Sequence, residues 1–411
     1  MNYKHEVNLS HGLIQNTINN WTENKKTFRY INRITFVHED YPFLIDVSIV
    51  KSSSKIKNSR FHQPVYEISD SNVFNNFETY EIEIEVDNKK IGPGTNYDSS
   101  AKIMHAMRQT INFVLSGLQE TNYPISYDEQ NNTLSKYMTL LWGEEYNNKS
   151  HVVNRNFLGP NSVTLQLPNV APQSDGSNTV NIRNNYVVTE KADGMRHLLF
   201  IDDIGKIYLI SQKMKVKFTG SKTLNNEAFN TILDGELIIL DKQRKYINMF
   251  AAFDIYYKSG VDIRHKAFIK YNGDQEEQDS RYVILTDIVN SLNSVSVVKT
   301  PTISPLHIIT KLFYPREKKK GDENHIFRGC DELSKSIKRG QHVYETDGYI
   351  FTPMEYGVGT MELNKAGPKT NVTWEAIFKW KPSHFNTIDF MISTIKDNGN
   401  QDEIKTILDG N

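Results

Sequence analysis

The sequence predicts an α+β fold dominated by antiparallel sheets. Short runs of strand length, apolar or strictly alternating, recur along most of the chain, turn residues punctuate them, and few stretches space their apolar residues as a helix does. At 411 residues the chain is too long for one ordinary core, so two or three domains are expected. With 38% hydrophobic and 24% charged residues, it has the composition of a folded soluble protein.

Taken in order, residues 28–51 read as a hairpin. Phe28, Tyr30, Ile34 and Phe36 form one arm and Phe43, Ile45, Val47 and Ile49 the other, with His38-Glu39-Asp40-Tyr41-Pro42 between them. The run Tyr80-Glu81-Ile82-Glu83-Ile84-Glu85-Val86 alternates strictly and predicts a third strand, ended by Gly92-Pro93-Gly94. A helix capped by Asp98 or Ser99 follows, with Ile103, Met107, Ile111, Val114, Leu115 and Leu118 as its core face. Residues 121–150 read as a connection with some helix around 134–141, and 173–178 as a loop. Strands are then expected at 186–188, 197–201, 206–211, 237–240, 250–257, 348–351 and 374–380, with one helix near 282–292. The expected division is a module at 1–125, a linker at 126–150, a second module at 151–395 and a terminal piece at 396–411.

A formal net charge of −1 provides no global basic field, so a nucleic-acid partner would have to be met by a local groove. Cys330 is the single cysteine, which excludes an intramolecular disulfide, argues against a thiolate zinc site and fits a reducing compartment. The N-terminus lacks the apolar core of a signal peptide and no apolar run has the length of a membrane span, so a cytoplasmic location without a membrane partner is expected.

Chemistry concentrates around Lys191. It lies in Thr189-Glu190-Lys191-Ala192-Asp193-Gly194-Met195-Arg196 after the apolar Tyr186-Val187-Val188, so its amine sits at the mouth of a strand, where it could act as a nucleophile. At the ordinary lysine pKa only about one amine in 2,500 is neutral at pH 7. Such a role therefore needs burial or a neighbouring positive charge, such as Arg196 or a bound metal. Taken alone, Lys-x-Asp-Gly also reads as a plain strand and turn. Four further runs follow: Asp234-Gly235-Glu236, Phe253-Asp254-Ile255-Tyr256-Tyr257, Asp347-Gly348-Tyr349-Ile350-Phe351 and Phe378-Lys379-Trp380-Lys381-Pro382. Each has a bland reading by itself, as a turn with a solvated acid or an exposed strand face. Their order and spacing carry the argument.

Together these runs resemble the covalent nucleotidyltransferase superfamily of mRNA capping guanylyltransferases and polynucleotide ligases, over roughly residues 150–395. Three features are similar to the capping branch: Asp347-Gly348 where ligases usually carry Glu-Gly, Trp380-Lys381-Pro382 followed by Asn386-Thr387-Ile388-Asp389-Phe390, and the entry segment Phe157-Leu158-Gly159-Pro160-Asn161-Ser162-Val163-Thr164-Leu165. The resemblance implies a nucleotidyltransferase domain of the ATP-grasp-like ligase and capping type, with antiparallel sheets and flanking helices. It implies that Lys191 takes GMP from GTP as a covalent adduct and passes it to the 5′-diphosphate end of an RNA. By the same resemblance, Asp347 binds Mg²⁺ or Mn²⁺, Lys379 and Lys381 meet the α-phosphate from one strand face, Arg196 and Glu236 hold the ribose hydroxyls, and Phe253 stacks on guanine. Asp254 is a weaker candidate, and Asp193 reads simply as a turn residue. The competing expectations are an ATP-dependent polynucleotide ligase using the same lysine and a non-catalytic nucleotide- or RNA-binding subunit.

In the N-terminal module Glu81, Glu83 and Glu85 share one strand face, which reads either as a solvated edge or as a metal site. Beside the motifs above, the run resembles the third motif of metal-dependent RNA triphosphatase tunnels, which implies an antiparallel barrel with the acids inside and the apolar side outward. Asp46 and Ser48 resemble another tunnel strand, and Arg33 and Lys51 are further tunnel candidates. Leu44 stands where that family has arginine and Ile31 where it has lysine, and no Glu-x-Glu strand precedes residue 28. The expectation is an incomplete tunnel. Only about twenty residues follow Phe390, too few for the OB-fold that the family places there, so 396–411 is expected as the start of an absent OB-fold region. The sequence is similar to a middle piece of the large capping enzymes of giant viruses and poxviruses, with the OB-fold and methyltransferase parts elsewhere in the polypeptide or on a partner subunit.

Overall fold

The computed structural model describes residues 15–16, 18–143, 146, 151–173, 178–272, 275–298, 304–315, 325–385, 387–388, 390–391 and 395. The expected terminal piece at 396–411 and the centre of the 173–178 loop lie outside these residues. Contacts divide the chain into two compact units, residues 1–118 and 119–411. No helix among the described residues is long and apolar enough to cross a membrane.

The first unit is built on three antiparallel strands, β1 (Arg29–Val37), β2 (Phe43–Ser52) and β3 (Thr79–Val86), in the order β1-β2-β3. Asp46 pairs in register with Thr35 and Glu83, and Ser48 with Arg33 and Glu81, so strand alternation collects Arg29, Arg33, Thr35, Asp46, Ser48, Glu81, Glu83 and Glu85 on one face. The opposite face carries Tyr30, Ile34, Phe36, Tyr80 and Ile82, all exposed. Among the described residues these three strands form an open sheet. Helix α1 (Ser100–Gln119) follows, with Ala106 and Thr110 buried.

The second unit opens on α2 (Tyr127–Trp142), inside the stretch expected to be mostly connection. Ser126 caps it by accepting from the Glu129 amide, and Tyr137, Met138 and Leu141 are buried in a core with Leu198, Phe200 and Tyr208. The remaining strands are β4 (Asn161–Thr164), β5 (Tyr186–Ala192), β6 (Met195–Ile201), β7 (Lys206–Ser211), β8 (Val216–Thr223), β9 (Thr231–Leu240), β10 (Tyr246–Lys258), β11 (Val261–Asp262), β12 (Tyr271–Asn272), β13 (Gln275–Glu276), β14 (Ser294–Ser296), β15 (His307–Thr310), β16 (Thr346–Pro353) and β17 (Thr373–Trp380). Helices α3 (Arg281–Ser291) and α4 (His325–Lys338) complete the unit.

The larger sheet runs β11-β10-β9-β6-β7-β8-β14, with β15 added parallel to β10. Its strands read as continuous apolar runs because both faces are covered: Leu198, Phe200 and Tyr208 meet α2 on one side, while Leu199, Ile201 and Leu209 meet Ile284, Leu285 and Ile288 of α3 on the other. The smaller sheet runs β4-β17-β16-β5 and packs Val188, Phe351 and Phe378 against Ile326 and Leu333 of α4. Sequence reading located α3 and missed α4, which buries His325, Ile326, Gly329, Leu333 and Ser336.

Candidate active site

Lys191 lies near the end of β5, paired with Gly348 of β16. The β5–β16 register shifts between Thr346 and Gly348, so Asp347 falls in a bulge beside the lysine. The Lys191 ammonium donates to both Asp347 carboxylate oxygens, at 2.9 and 3.2 Å, and Lys381 Nζ lies 2.6 Å from Oδ2. Burial pushes the Asp347 carboxyl up, but hydrogen bonds from Lys381 and Lys191 outweigh it and hold the group below the usual carboxylate range. Gly348 is demanded by proximity: a Cβ there would lie 2.0 Å from the Trp380 carbonyl oxygen of β17.

The mouth of β5 opens on a cavity of about 390 Å³ lined by Lys191, Arg196, Glu236, Phe253, Lys311 and Lys379 among others, a volume within the range of small-molecule sites. A larger cavity is lined by Tyr127, His151 and Lys215 and holds none of the expected site residues. Arg196 and Glu236 face each other as paired residues of β6 and β9. The Arg196 guanidinium is fixed from all sides, bonding Asp234 at 3.0 and 2.5 Å and the Pro160 carbonyl at 2.8 Å, and lying 5.6 and 5.7 Å from the ring centres of Phe157 and Phe253. Asp234 is fully buried and also accepts from the Tyr256 hydroxyl. Glu236 is the opposite case: its Oε2 is buried with no hydrogen-bond partner among the described residues, and burial pushes its carboxyl up to about 7.

The structure thus brings together Lys191, Arg196, Glu236, Phe253 and Lys379 around one cavity, with Asp347 and Lys381 bonded at its edge. Lys381 lies one residue past β17, so it reaches the site from the strand end and not from the strand face expected. Asp254 is drawn away, its carboxylate bound at 2.8 and 3.1 Å by the buried Arg281. Asp193 is exposed in the β5–β6 turn. Sequence reasoning missed Lys311 and Phe313, which line the cavity beyond β15; Lys311-Leu312-Phe313 has no spacing that separates it from an ordinary strand end.

In the first unit the acids are already paired. Arg29 bonds Glu81 at 2.7 Å, while Arg33 bonds Asp46 at 2.8 Å and Glu83 at 2.6 Å. Carboxylate oxygens of Asp46, Glu83 and Glu85 lie within 4.8 Å of one another. Lys51, expected with them, is not there: its odd spacing from Asp46 puts it on the other sheet face, where it donates to the Phe74 carbonyl.

Several cations, the Phe253 ring and a lysine beside a carboxylate thus meet at one cavity of the second unit. The chain belongs to the family of mRNA capping enzyme catalytic domains, whose sequence model matches residues 151–383. It is similar to a probable mRNA-capping enzyme of Acanthamoeba polyphaga mimivirus, 28% identical over 70% of this chain and 24% of that one. It is also similar to the mRNA-capping enzyme of Danio rerio, 25% identical over 53% of this chain and 32% of that one, and to the mRNA-capping enzyme subunit alpha of Schizosaccharomyces pombe, 28% identical over 51% and 48%. The chain therefore spans less than half the length of each of these relatives. A solved chain titled Pmar-Lig_Pre. aligns with 70% of this chain and 59% of its own at 13% identity and a TM-score of 0.29, so the fold rests on the elements described above.

Proposed function

We propose that the second unit caps RNA, moving GMP from GTP to a 5′-diphosphate RNA end through a covalent adduct on Lys191. The observation that carries this reading is the position of the Lys191 amine, inside a nucleotide-sized cavity and against Asp347. In the first step the Lys191 ammonium gives up one proton to solvent, the resulting amine attacks the α-phosphorus, a phosphorus–nitrogen bond forms, the bond to the β-phosphate oxygen breaks, and pyrophosphate leaves with that electron pair while the attacking nitrogen sheds a second proton to solvent. In the second, a terminal diphosphate oxygen of the RNA attacks the same phosphorus and Lys191 departs, taking up a proton. Lys379 and Lys381 supply fixed positive charge where the α-phosphate gains negative charge, Arg196 and Glu236 hold the sugar hydroxyls, and Phe253 covers the base.

The Asp347 carboxylate is a hard oxygen donor, part exposed at the cavity edge, and suits a divalent cation once Lys191 and Lys381 turn from it toward the phosphates. It would hold Mg²⁺ or Mn²⁺, which when bound neutralises charge on the phosphate oxygens. On the first unit, the Asp46, Glu83 and Glu85 oxygens support a reading as an incomplete RNA 5′-triphosphatase tunnel with a metal of the same kind. The RNA 5′ end is the partner both readings require, and the site of action is cytoplasmic, in a host cell or virion.

The test is incubation with α-labelled GTP or ATP and Mg²⁺ followed by denaturing electrophoresis. Label taken from GTP and lost in Lys191→Ala is the expected result. Label from ATP alone would make the chain a ligase, and no label from either would leave a binding subunit. Phosphate release from triphosphate-ended RNA, with and without Glu83→Ala, tests the tunnel separately.

A further inference from the structure

Of the three lysines that line the cavity, Lys311 alone has no part in the transfer chemistry. Lys311 has a side chain only 3% exposed, and a charge so placed requires a counter-ion. Its Nζ donates to the Glu190 carbonyl oxygen and lies 3.2 Å from Glu190 Oε1. Glu190, immediately before the nucleophile, is itself fully buried. Its Oε1 accepts from the Tyr344 hydroxyl at 2.8 Å and its Oε2 from the Thr189 hydroxyl at 2.8 Å.

Glu236 lines the same cavity as Lys311, yet its buried Oε2 has no partner among the described residues. Lys311 is the foremost of the charges favouring its ionised form. Two carboxylates thus compete for one buried ammonium, and Glu190 holds it.

We propose that Glu190 is a positioning residue: it draws Lys311 against its own carboxylate and carbonyl, and so keeps the Glu236 carboxylate open to the sugar hydroxyls of the nucleotide. This rests on reading the cavity as the GTP site. Replacing Glu190 by glutamine preserves size and most of the bonds from Tyr344 and Thr189 but removes the counter-ion. The Lys311 ammonium then turns to the remaining carboxylate, Glu236, and caps it.

Equilibrium binding of GTP and of 2′,3′-dideoxy-GTP to the full chain tests this, with covalent labelling recorded beside it. Glu190→Gln is expected to raise the Kd for GTP about ten-fold, the loss of one charge-assisted hydrogen bond, and to leave the Kd for the dideoxy analogue unchanged. In the Lys311→Met background the same substitution should leave both unchanged. An equal loss for both nucleotides, no loss for either, or the same ten-fold loss without Lys311 overturns the proposal. Should Glu190→Gln not fold, Tyr344→Phe keeps both charges and removes one bond to Glu190; about a three-fold loss confined to GTP is expected, and no loss overturns the proposal. A wild type that binds GTP but takes no label defeats the transfer reading alone and leaves the Glu190 comparison legible in Kd.

Discussion

Burial pushes the carboxyl of Glu236 up to about 7, opposed by the charges of Lys311, Arg196 and Lys191 and reinforced by Asp234. Because the folded pKa lies above the ordinary value of 4.5, the folded chain binds this proton more tightly than the unfolded one. The resulting stability is fully present below about pH 4.5 and lost as pH rises through about 7. The unfolding free energy of the wild type, relative to Glu236→Gln, should therefore fall by about 3 kcal/mol at most between pH 5 and 8. Denaturant melts of the nucleotide-free chain at both pH values measure it; a difference that stays constant with pH would mean the group is ordinary. Asp234 shows the converse. Truncating it to alanine strands the Arg196 guanidinium, so a loss of about 3–5 kcal/mol is expected in the same melts, and a loss under 1 kcal/mol would show that the pair is not the anchor of the cavity. At this scale the sequence exposed the residues that sit in short ordered motifs, Lys191, Glu236 and Asp347. It could not expose Lys311 or the role of Glu190, because their meaning lies in a contact between residues 121 positions apart.

The elements that place these side chains are two strand pairs, β5 with β16 and β6 with β9. Strand identity was readable from apolar runs, yet the bulge that sets Asp347 beside Lys191 was not, since it exists only in the pairing of one strand with another. Gly348 is where that pairing is most constrained. Its Cβ position is filled by the Trp380 carbonyl, a backbone atom that cannot rotate away, so Gly348→Ala should part β16 from β17, at a cost of about 2–4 kcal/mol. Since β17 carries Lys379 and leads to Lys381, the variant should also lose GMP labelling beyond its loss of folded protein, measured as label per natively folded chain. Labelling that only tracks the folded fraction would show that β17 holds no part of the site. Two helices, α2 and α4, were less legible in the sequence. The start of α2, Tyr127-Asp128-Glu129-Gln130-Asn131-Asn132, is polar, and its signal is the Ser126 cap with Glu129 three residues on; α4 turns serine and histidine toward the core.

The first of these, α2, decides where the second unit begins. The family match starts at residue 151, and the sequence placed a linker at 126–150, but the structure roots α2 in the second unit, with Tyr137, Met138 and Leu141 in one core with Leu198, Phe200 and Tyr208. The Tyr137 hydroxyl also accepts from the Leu158 amide and donates to the Asn156 carbonyl, which fixes the approach to Phe157 and Pro160, and these in turn contact Arg196. A fragment beginning at 151 would expose that face of the larger sheet and loosen the segment that holds Arg196. Each deeply buried side chain of this kind is worth about 2–5 kcal/mol when truncated, and three of them together approach the whole stability of a domain. A fragment from residue 119 onward should therefore melt cooperatively and form the GMP adduct, while one from residue 151 should be insoluble or melt without cooperativity. Soluble yield, thermal melts and labelling of the two fragments side by side make the comparison. Equal behaviour would mean that α2 is a dispensable cover and that the boundary read from sequence was the functional one.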